Sequence, residues 1–415
     1  MTADALTLSV VRLGGDGDGV VETPDGPRFV AGALPGELVT LACDGGVVEI
    51  ARTSPERRGE ALCPHFGACG GCSLQHLSDD LYTTWKASQL TQALQRHGLE
   101  TEGIVAPLWR VPANSRRRAA LGVRLARGKA EIGFNVARSH DLEPLEACAV
   151  LTPGIMRGLD GLKALAGVLL PRDGEARVTV IDTAAGLDAA FAMPRAKLTA
   201  EQRSACVAIA RANRIARVTA GDEDVVVLDP PALDIAGVAV VPPPGAFVQA
   251  VAEAEVEMAR LVVDGVGKAK SVADLFAGLG TFTFGVARRA RVLAVDSERA
   301  LLAALDAGAR KASGLKPITT KVRDLFGDPL SPRELDTFDA VVLDPPRAGA
   351  KAQAEALAKS KVRTVVAVSC HPATLARDLA ILTAGGYRLQ RATPVDQFLF
   401  TPHLEAVAVL TRPKR

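Results

Sequence analysis

From residue 271 onward, short apolar runs alternate with longer mixed stretches. "SVADL" (271–275), "RVLAVD" (291–296), "ITTKV" (318–322), "FDAVVLD" (338–344) and "RTVVAVS" (363–369) are brief and almost wholly apolar, the pattern of strands buried on both faces. Helices are predicted from Thr281 and over 298–313, 352–359 and 372–384, and two closing strands around 387–395 and 404–411. Strands alternating with helices predict an α/β fold with a doubly wound, mainly parallel sheet. The earlier part of the chain reads differently. Residues 6–52 are short strands between Gly-rich turns, spaced as in a small β-barrel. Residues 82–97 read as a helix, and 117–240 mixes strand-like runs ("RRAALGVRLA", "ARVTVID", "DVVVLD") with helices such as 199–212. Three prolines at 242–244 mark a boundary, so the expected division is a β-barrel over 1–60, an α+β domain over 61–241 and the doubly wound domain over 242–415.

A chain of 415 residues with 48% hydrophobic content can bury a core in each such domain. Asp4 stands where a secretory leader would be basic and then apolar, and no apolar run reaches 18 residues. The expectation is a cytoplasmic protein with no membrane contact, acting as a monomer. A net charge of +2 leaves recognition of any anionic partner to a local patch. Such a patch runs from Arg110 to Lys129, with Arg116, Arg117, Arg118, Arg124 and Arg127 between and no acid; a solvated face of a β-rich segment is the alternative reading.

Doubly wound sheets bind ligands beyond the carboxyl ends of their strands. There the sequence places "DLFAGLGTF" (274–282) with Asp274, Phe276, Gly278 and Gly280, then Asp296, Asp324 and Asp344 at or after the following strand ends. Glycines allow close backbone approach, and an acid ending the second strand suits a ribose diol. The third glycine of a dinucleotide fingerprint is missing, which favours a ligand without phosphates, carrying a ribose and an ammonium group: S-adenosylmethionine. "LDPPRAG" (343–349) and "SCHP" (369–372) end adjacent strands, bringing Asp344 and Arg347 near Cys370. A thiol at a strand end beside a helix N-terminus, which favours the thiolate, is placed as a nucleophile. Cys206, in a helix, and Cys43, in the barrel, read as small buried hydrophobes.

Cys63, Cys69 and Cys72 follow the spacing C-x5-C-x2-C, and Cys148 lies 76 positions after Cys72. Four thiolates suit either zinc or an iron-sulfur cluster, and spacing does not decide between them.

Residues 271–415 resemble the RNA 5-methyluridine (uracil-C5) methyltransferases through "DLFAGLGTF", "DPPRAG", "SCHPATLARDL" and the closing "HLE". The resemblance extends upstream: "CPHFGACGGCSLQH" (63–76) and "LEACAVL" (145–151) are similar to the cluster cysteines of bacterial members, "FVQA" (247–250) to their cofactor-contacting segment, and 6–52 to their small RNA-binding TRAM barrel. The resemblance implies a class I (Rossmann-like) methyltransferase domain and a central iron-sulfur domain with a 4Fe-4S cluster on Cys63, Cys69, Cys72 and Cys148. It further implies Cys370 as nucleophile, Glu405 as base and S-adenosylmethionine held by Gln249, Phe276, Gly278, Asp296, Asp324 and Asp344; the basic run, above all Arg116, Arg117 and Arg118, is expected to meet RNA phosphates. The expected substrate is a uridine in structured RNA, 23S ribosomal RNA ahead of transfer RNA. Two departures stand out: His371 replaces the Asn that follows the nucleophile in many members, and "FLFTPHLE" (398–405) replaces "FPHTGHLE". The rival readings are RNA cytidine-C5 methylation by the same thiol addition, a radical methylthiolating enzyme, which needs a C-x3-C-x2-C triplet, and an RNA-binding protein without activity.

Overall fold

The computed structural model describes residues 6–41, 47–194 and 197–413; Cys43 lies outside them. Five strands between Leu6 and Arg52 form one sheet, in the order Gly26–Val30, Gly19–Thr23, Leu6–Leu13, Leu38–Leu41, Val47–Arg52, around a core of Val10, Val21, Val30, Val39 and Leu41. A second, seven-stranded sheet is built from residues 118–227. Its strands are antiparallel except where Gly186–Ala192 runs parallel to Ile215–Ala220, and the helices Pro153–Leu169 and Ala200–Ala212 accompany it. The second helix starts at a reciprocal cap: Thr199 Oγ1 accepts from the Gln202 N–H while the Gln202 side chain accepts from the Thr199 N–H. Cys206 is wholly buried in that helix.

The C-terminal sheet has eight strands, in the order Ile318–Val322, Arg291–Asp296, Ser271–Leu275, Ala340–Leu343, Thr364–Ser369, Glu405–Thr411, Arg388–Asp396, Trp109–Arg110. The first five run parallel, and Glu405–Thr411 inserts antiparallel between Thr364–Ser369 and Arg388–Asp396. Strand order reverses between Ser271–Leu275 and Ala340–Leu343, which opens a crevice at their carboxyl ends. Antiparallel insertion brings the first residue of the closing strand, Glu405, to that same edge, because it pairs beside the last residue of strand Thr364–Ser369.

Some elements differ from the sequence reading. The helix expected from Thr281 is a single turn, Thr283–Ala287. Helices Pro153–Leu169 and Ala252–Val266 and the two-residue strand at the sheet edge were not expected. The hairpin Leu233–Ile235 and Val238–Val240, just before the three prolines, packs in one apolar cluster with Phe284, Leu302 and Leu305 of the C-terminal region. Among the described residues, no helix is long and apolar enough to cross a membrane.

Candidate active site

The crevice is shaped by the turn after strand Ser271–Leu275. Phe276 and the glycines at 278 and 280 all have positive φ (64°, 54° and 92°), and a Cβ at Gly280 would stand 2.8 Å from the Phe284 ring, so glycine is required there. Phe276 accepts a left-handed backbone that costs a non-glycine residue about 1–3 kcal/mol. Asp296 ties this turn to the neighbouring strand end: its Oδ2 accepts from the Gly278 N–H (2.8 Å) and its Oδ1 from the Glu298 N–H (2.8 Å). Asp274 lies beneath, wholly buried and bonded to the Thr283 hydroxyl, and burial pushes its carboxyl up to about 7.

On the other side, "DPPRAG" is clamped by the helix that follows Cys370. Gly349 has φ 75°, and a Cβ there would lie 2.6 Å from Asp378 Oδ2. That oxygen accepts from the Ala350 N–H, while Arg377 Nη2 donates to the Ala348 carbonyl. His371 caps the helix Pro372–Ala384, its Nδ1 accepting from the Thr374 N–H (3.3 Å). This explains why His can stand where Asn is usual, since both offer a short side-chain acceptor at the cap.

These loops enclose a cavity of about 600 Å³. Gln249, Phe276, Gly278, Asp296, Asp324 and Asp344 line it, as do Cys370, Glu405, Arg347 and His403. Its size suits a nucleoside-bearing cofactor. Glu405 is buried; its Oε1 accepts from Gln397 Nε2 (3.0 Å) and its Oε2 has no protein partner. Burial pushes the carboxyl up to about 7, against the pull of Gln397. Burial, then the charges of Glu405 and Asp274, also pushes Asp344 well above the usual carboxylate range. Asp344 is half-buried and lines the cavity.

Cys370 corrects one expectation. Its thiol is pushed up to about 11, by burial and then by Glu405 and Asp344, with Arg347 opposing. Two nearby acids and desolvation outweigh the helix N-terminus, so the resting group is the thiol.

The altered "FLFTPHLE" loop is held from behind. Lys86, fully buried, donates to Asp396 Oδ1 (2.8 Å) and to the carbonyls of Phe398 and His403. The Tyr82 hydroxyl donates to Asp396 Oδ2 (2.6 Å) and accepts from the Phe400 N–H (2.9 Å). The sequence reading missed Lys86 and Gln397. Gln397 directly precedes the motif and so had a positional clue; Lys86, 310 positions from its partner, had none.

The four cysteines of the two upstream motifs line a second cavity of about 420 Å³, together with Gln75, Arg116 and Thr401–His403. Its donors suit anionic sulfur. The Gly71 N–H points to Cys69 Sγ (3.4 Å), the Gln75 side chain bonds Cys72, and the Val150 and Leu151 N–H groups face Cys148. Burial pushes Cys72 up to about 12 and raises Cys69 and Cys148. Among the described residues, no group of three or more His, Cys, Asp or Glu stands close enough to hold a metal ion. His65, inside the motif, is already engaged: Nδ1 with Glu143 (2.8 Å), Nε2 accepting from the Glu146 N–H (3.1 Å).

The three consecutive arginines do not form one phosphate-facing row. Arg117 is buried in an ion pair with Glu255 (2.9 Å), which removes it from any RNA surface. Arg116 lines the cysteine cavity, where it interacts with Cys72 and Cys148. Arg118 bonds the Ala246 carbonyl and stacks over Phe247 (5.4 Å).

A family model described as tRNA (uracil-5-)-methyltransferase matches residues 322–413. The chain is 46% identical to an uncharacterized RNA methyltransferase of Brucella suis, over 98% of this chain and 97% of that protein. It is 35% identical to the 23S rRNA (uracil(1939)-C(5))-methyltransferase RlmD of Chromohalobacter salexigens, over 99% of this chain and 90% of that one. The fold matches the Pyrococcus abyssi tRNA (uracil-54, C5)-methyltransferase, solved with S-adenosyl-L-homocysteine, at TM-score 0.72 and 22% identity, covering 98% and 100% of the two chains.

Proposed function

This chain belongs to the RNA uracil-C5 methyltransferase family, and from that membership we propose that it methylates carbon 5 of one uridine in 23S ribosomal RNA through a covalent bond to Cys370. The observation that carries the proposal is the meeting, in one cavity, of the Cys370 thiol and a buried Glu405 whose Oε2 has no partner. Gln249, Phe276, Gly278, Asp296, Asp324 and Asp344 would hold S-adenosylmethionine, which when bound would supply an electrophilic methyl group and depart as S-adenosylhomocysteine. Carbon 5 of uracil is a weak nucleophile. Cys370 sulfur adds to carbon 6, its proton leaves to solvent, and the π pair of the ring moves onto the carbonyl at carbon 4, so carbon 5 becomes an enolate carbon able to take the methyl. Glu405 Oε2 then removes the proton from carbon 5, the ring double bond reforms, and the Cys370 thiolate leaves. A carboxyl near 7 suits this work: it is ionised often enough to accept the proton and basic enough to hold it.

The cysteine cavity is proposed to hold a 4Fe-4S cluster on Cys63, Cys69, Cys72 and Cys148. Amide donors and the Arg116 cation around the sulfurs support thiolate ligands, and about 420 Å³ suits a cluster better than a single ion. The N-terminal sheet and the central sheet are proposed as separate RNA-contacting domains. Ribosomal RNA is favoured over transfer RNA because the 35% identical relative with a ribosomal substrate in its name aligns with nearly the whole chain.

Mapping 5-methyluridine in ribosomal and transfer RNA of a deletion strain, complemented with wild type or Cys370→Ala, tests this. One 23S site should lose its methyl group and regain it with wild type alone. Loss confined to transfer RNA overturns the substrate, loss of 5-methylcytidine overturns the base, and no loss in any RNA overturns the activity.

A further inference from the structure

The hydrogen bonds at the cavity wall give Gln397 more than a packing role. Its amide is 2% exposed and fully engaged. Oε1 accepts from the Val251 N–H (3.4 Å), which fixes the orientation of the amide. Nε2 donates to both Gln249 Oε1 (2.7 Å) and Glu405 Oε1 (3.0 Å). One side chain thus joins the segment before helix Ala252–Val266 to the first residue of the closing strand. We infer that Gln397 is a positioning residue that locks the cofactor-side Gln249 to the base Glu405, leaving Glu405 Oε2 as the atom that takes the carbon 5 proton.

This inference rests on the proposed roles of Gln249 and Glu405, and physical reasons favour it. With Oε1 occupied by a neutral donor, the carboxylate cannot rotate without breaking a buried hydrogen bond, so Oε2 keeps its direction. With its own Oε1 occupied, Gln249 turns its amide hydrogens toward the cavity it lines. Donation from Gln397 also favours the charged form of Glu405 and partly offsets the burial that opposes it. The other ionisable groups lining that cavity are Asp296, Glu298, Arg323, Asp324, Asp344, Arg347, Cys370 and His403. Gln397 bonds only Val251, Gln249 and Glu405 among the described residues, and Asp344 and Cys370 respond to a change at 397 through the charge of Glu405.

Two variants separate the donor from the fold. Gln397→Met removes every hydrogen bond at nearly constant volume, while Gln397→Glu keeps an acceptor for the Val251 N–H and loses the amide donors. In both, methylation should slow about 10-fold. The rising limb of the pH profile should move to higher pH, and RNA methylated but still bonded to Cys370 should accumulate on denaturing gels. KM for S-adenosylmethionine should change less than kcat. If Met at 397 unfolds the protein, the Glu variant carries the test. An unmoved pH limb with no accumulated adduct overturns the role of Gln397, provided that Glu405→Gln traps the adduct in the same assay. Failure of Glu405→Gln to trap it overturns the underlying mechanism instead.

Discussion

The two cavities of this protein share a wall and differ in which groups the surrounding hydrogen bonds hold. His403 lines both, and the carbonyl of Phe400 accepts from the Ser73 and Leu74 N–H groups beside the cysteine loop. In the catalytic cavity the functional atoms are fixed by protein alone: Asp296 by two backbone N–H groups, Glu405 by Gln397, the Cys370 turn by the His371 cap. In the cysteine cavity the hydrogen bonds go to sulfur: the Gly71 N–H to Cys69, the Gln75 side chain to Cys72, and the Val150 and Leu151 N–H groups to Cys148. A site for a dissociating cofactor has to be ready between turnovers. A site for a permanent ligand can leave its last assembly step to the ligand, whose binding energy then counts as folding energy.

The largest expected effect breaks the cysteine side. Cys72→Ser or Cys148→Ser should abolish iron incorporation and lower the melting temperature, while S-adenosylmethionine affinity in the surviving folded protein stays within about 3-fold of wild type, as calorimetry would read it. Loss of cofactor binding in step with iron would mean that the catalytic cavity also depends on the cluster. Next in size is Lys86→Met, which leaves Asp396 buried without its cation. Chemical denaturation should show a loss of about 3–5 kcal/mol. An unchanged midpoint would show that Lys86 is not what holds the loop before Glu405.

Glu405→Gln should change how stability depends on pH. The native carboxyl sits at about 7 against an ordinary 4.5, so between those values the native state holds a proton that the unfolded chain has released. Wild-type stability therefore falls as pH rises through that window, and the neutral variant, free of this loss, should gain on wild type across it in thermal melts. The smallest effect concerns the cap beside Cys370. His371→Asn should leave stability nearly unchanged, whereas His371→Ala should cost about 1 kcal/mol.

The doubly wound half was legible in the sequence because its signals are local. Strands at 271–275, 291–296 and 318–322 have the expected limits; the first is buried throughout and reads as a bounded apolar run, while 318–322 is the half-exposed edge strand of the sheet. The candidate residues named from motifs at strand ends, among them Asp296, Asp344 and Cys370, line one cavity. Pairings across hundreds of positions were not legible. Trp109–Arg110 joins the far sheet by two residues, Arg117 finds Glu255, and Lys86 finds Asp396, each decided by tertiary contact. The raised thiol of Cys370 was not legible for the same reason: the sequence shows the helix after it and Asp344 on the adjacent strand, while the burial that raises it most and the carboxyl of Glu405 come from tertiary packing.

The account stands or falls on the covalent bond between Cys370 and RNA. Glu405→Gln protein, incubated with target RNA and S-adenosylmethionine and run on a denaturing gel, should give a shifted protein–RNA band carrying a methylated uridine, because addition and methyl transfer precede the step that needs the base. Adding Cys370→Ala to that variant should remove the band. A band that persists in the double variant, or full methylation by Cys370→Ala alone, would contradict the mechanism.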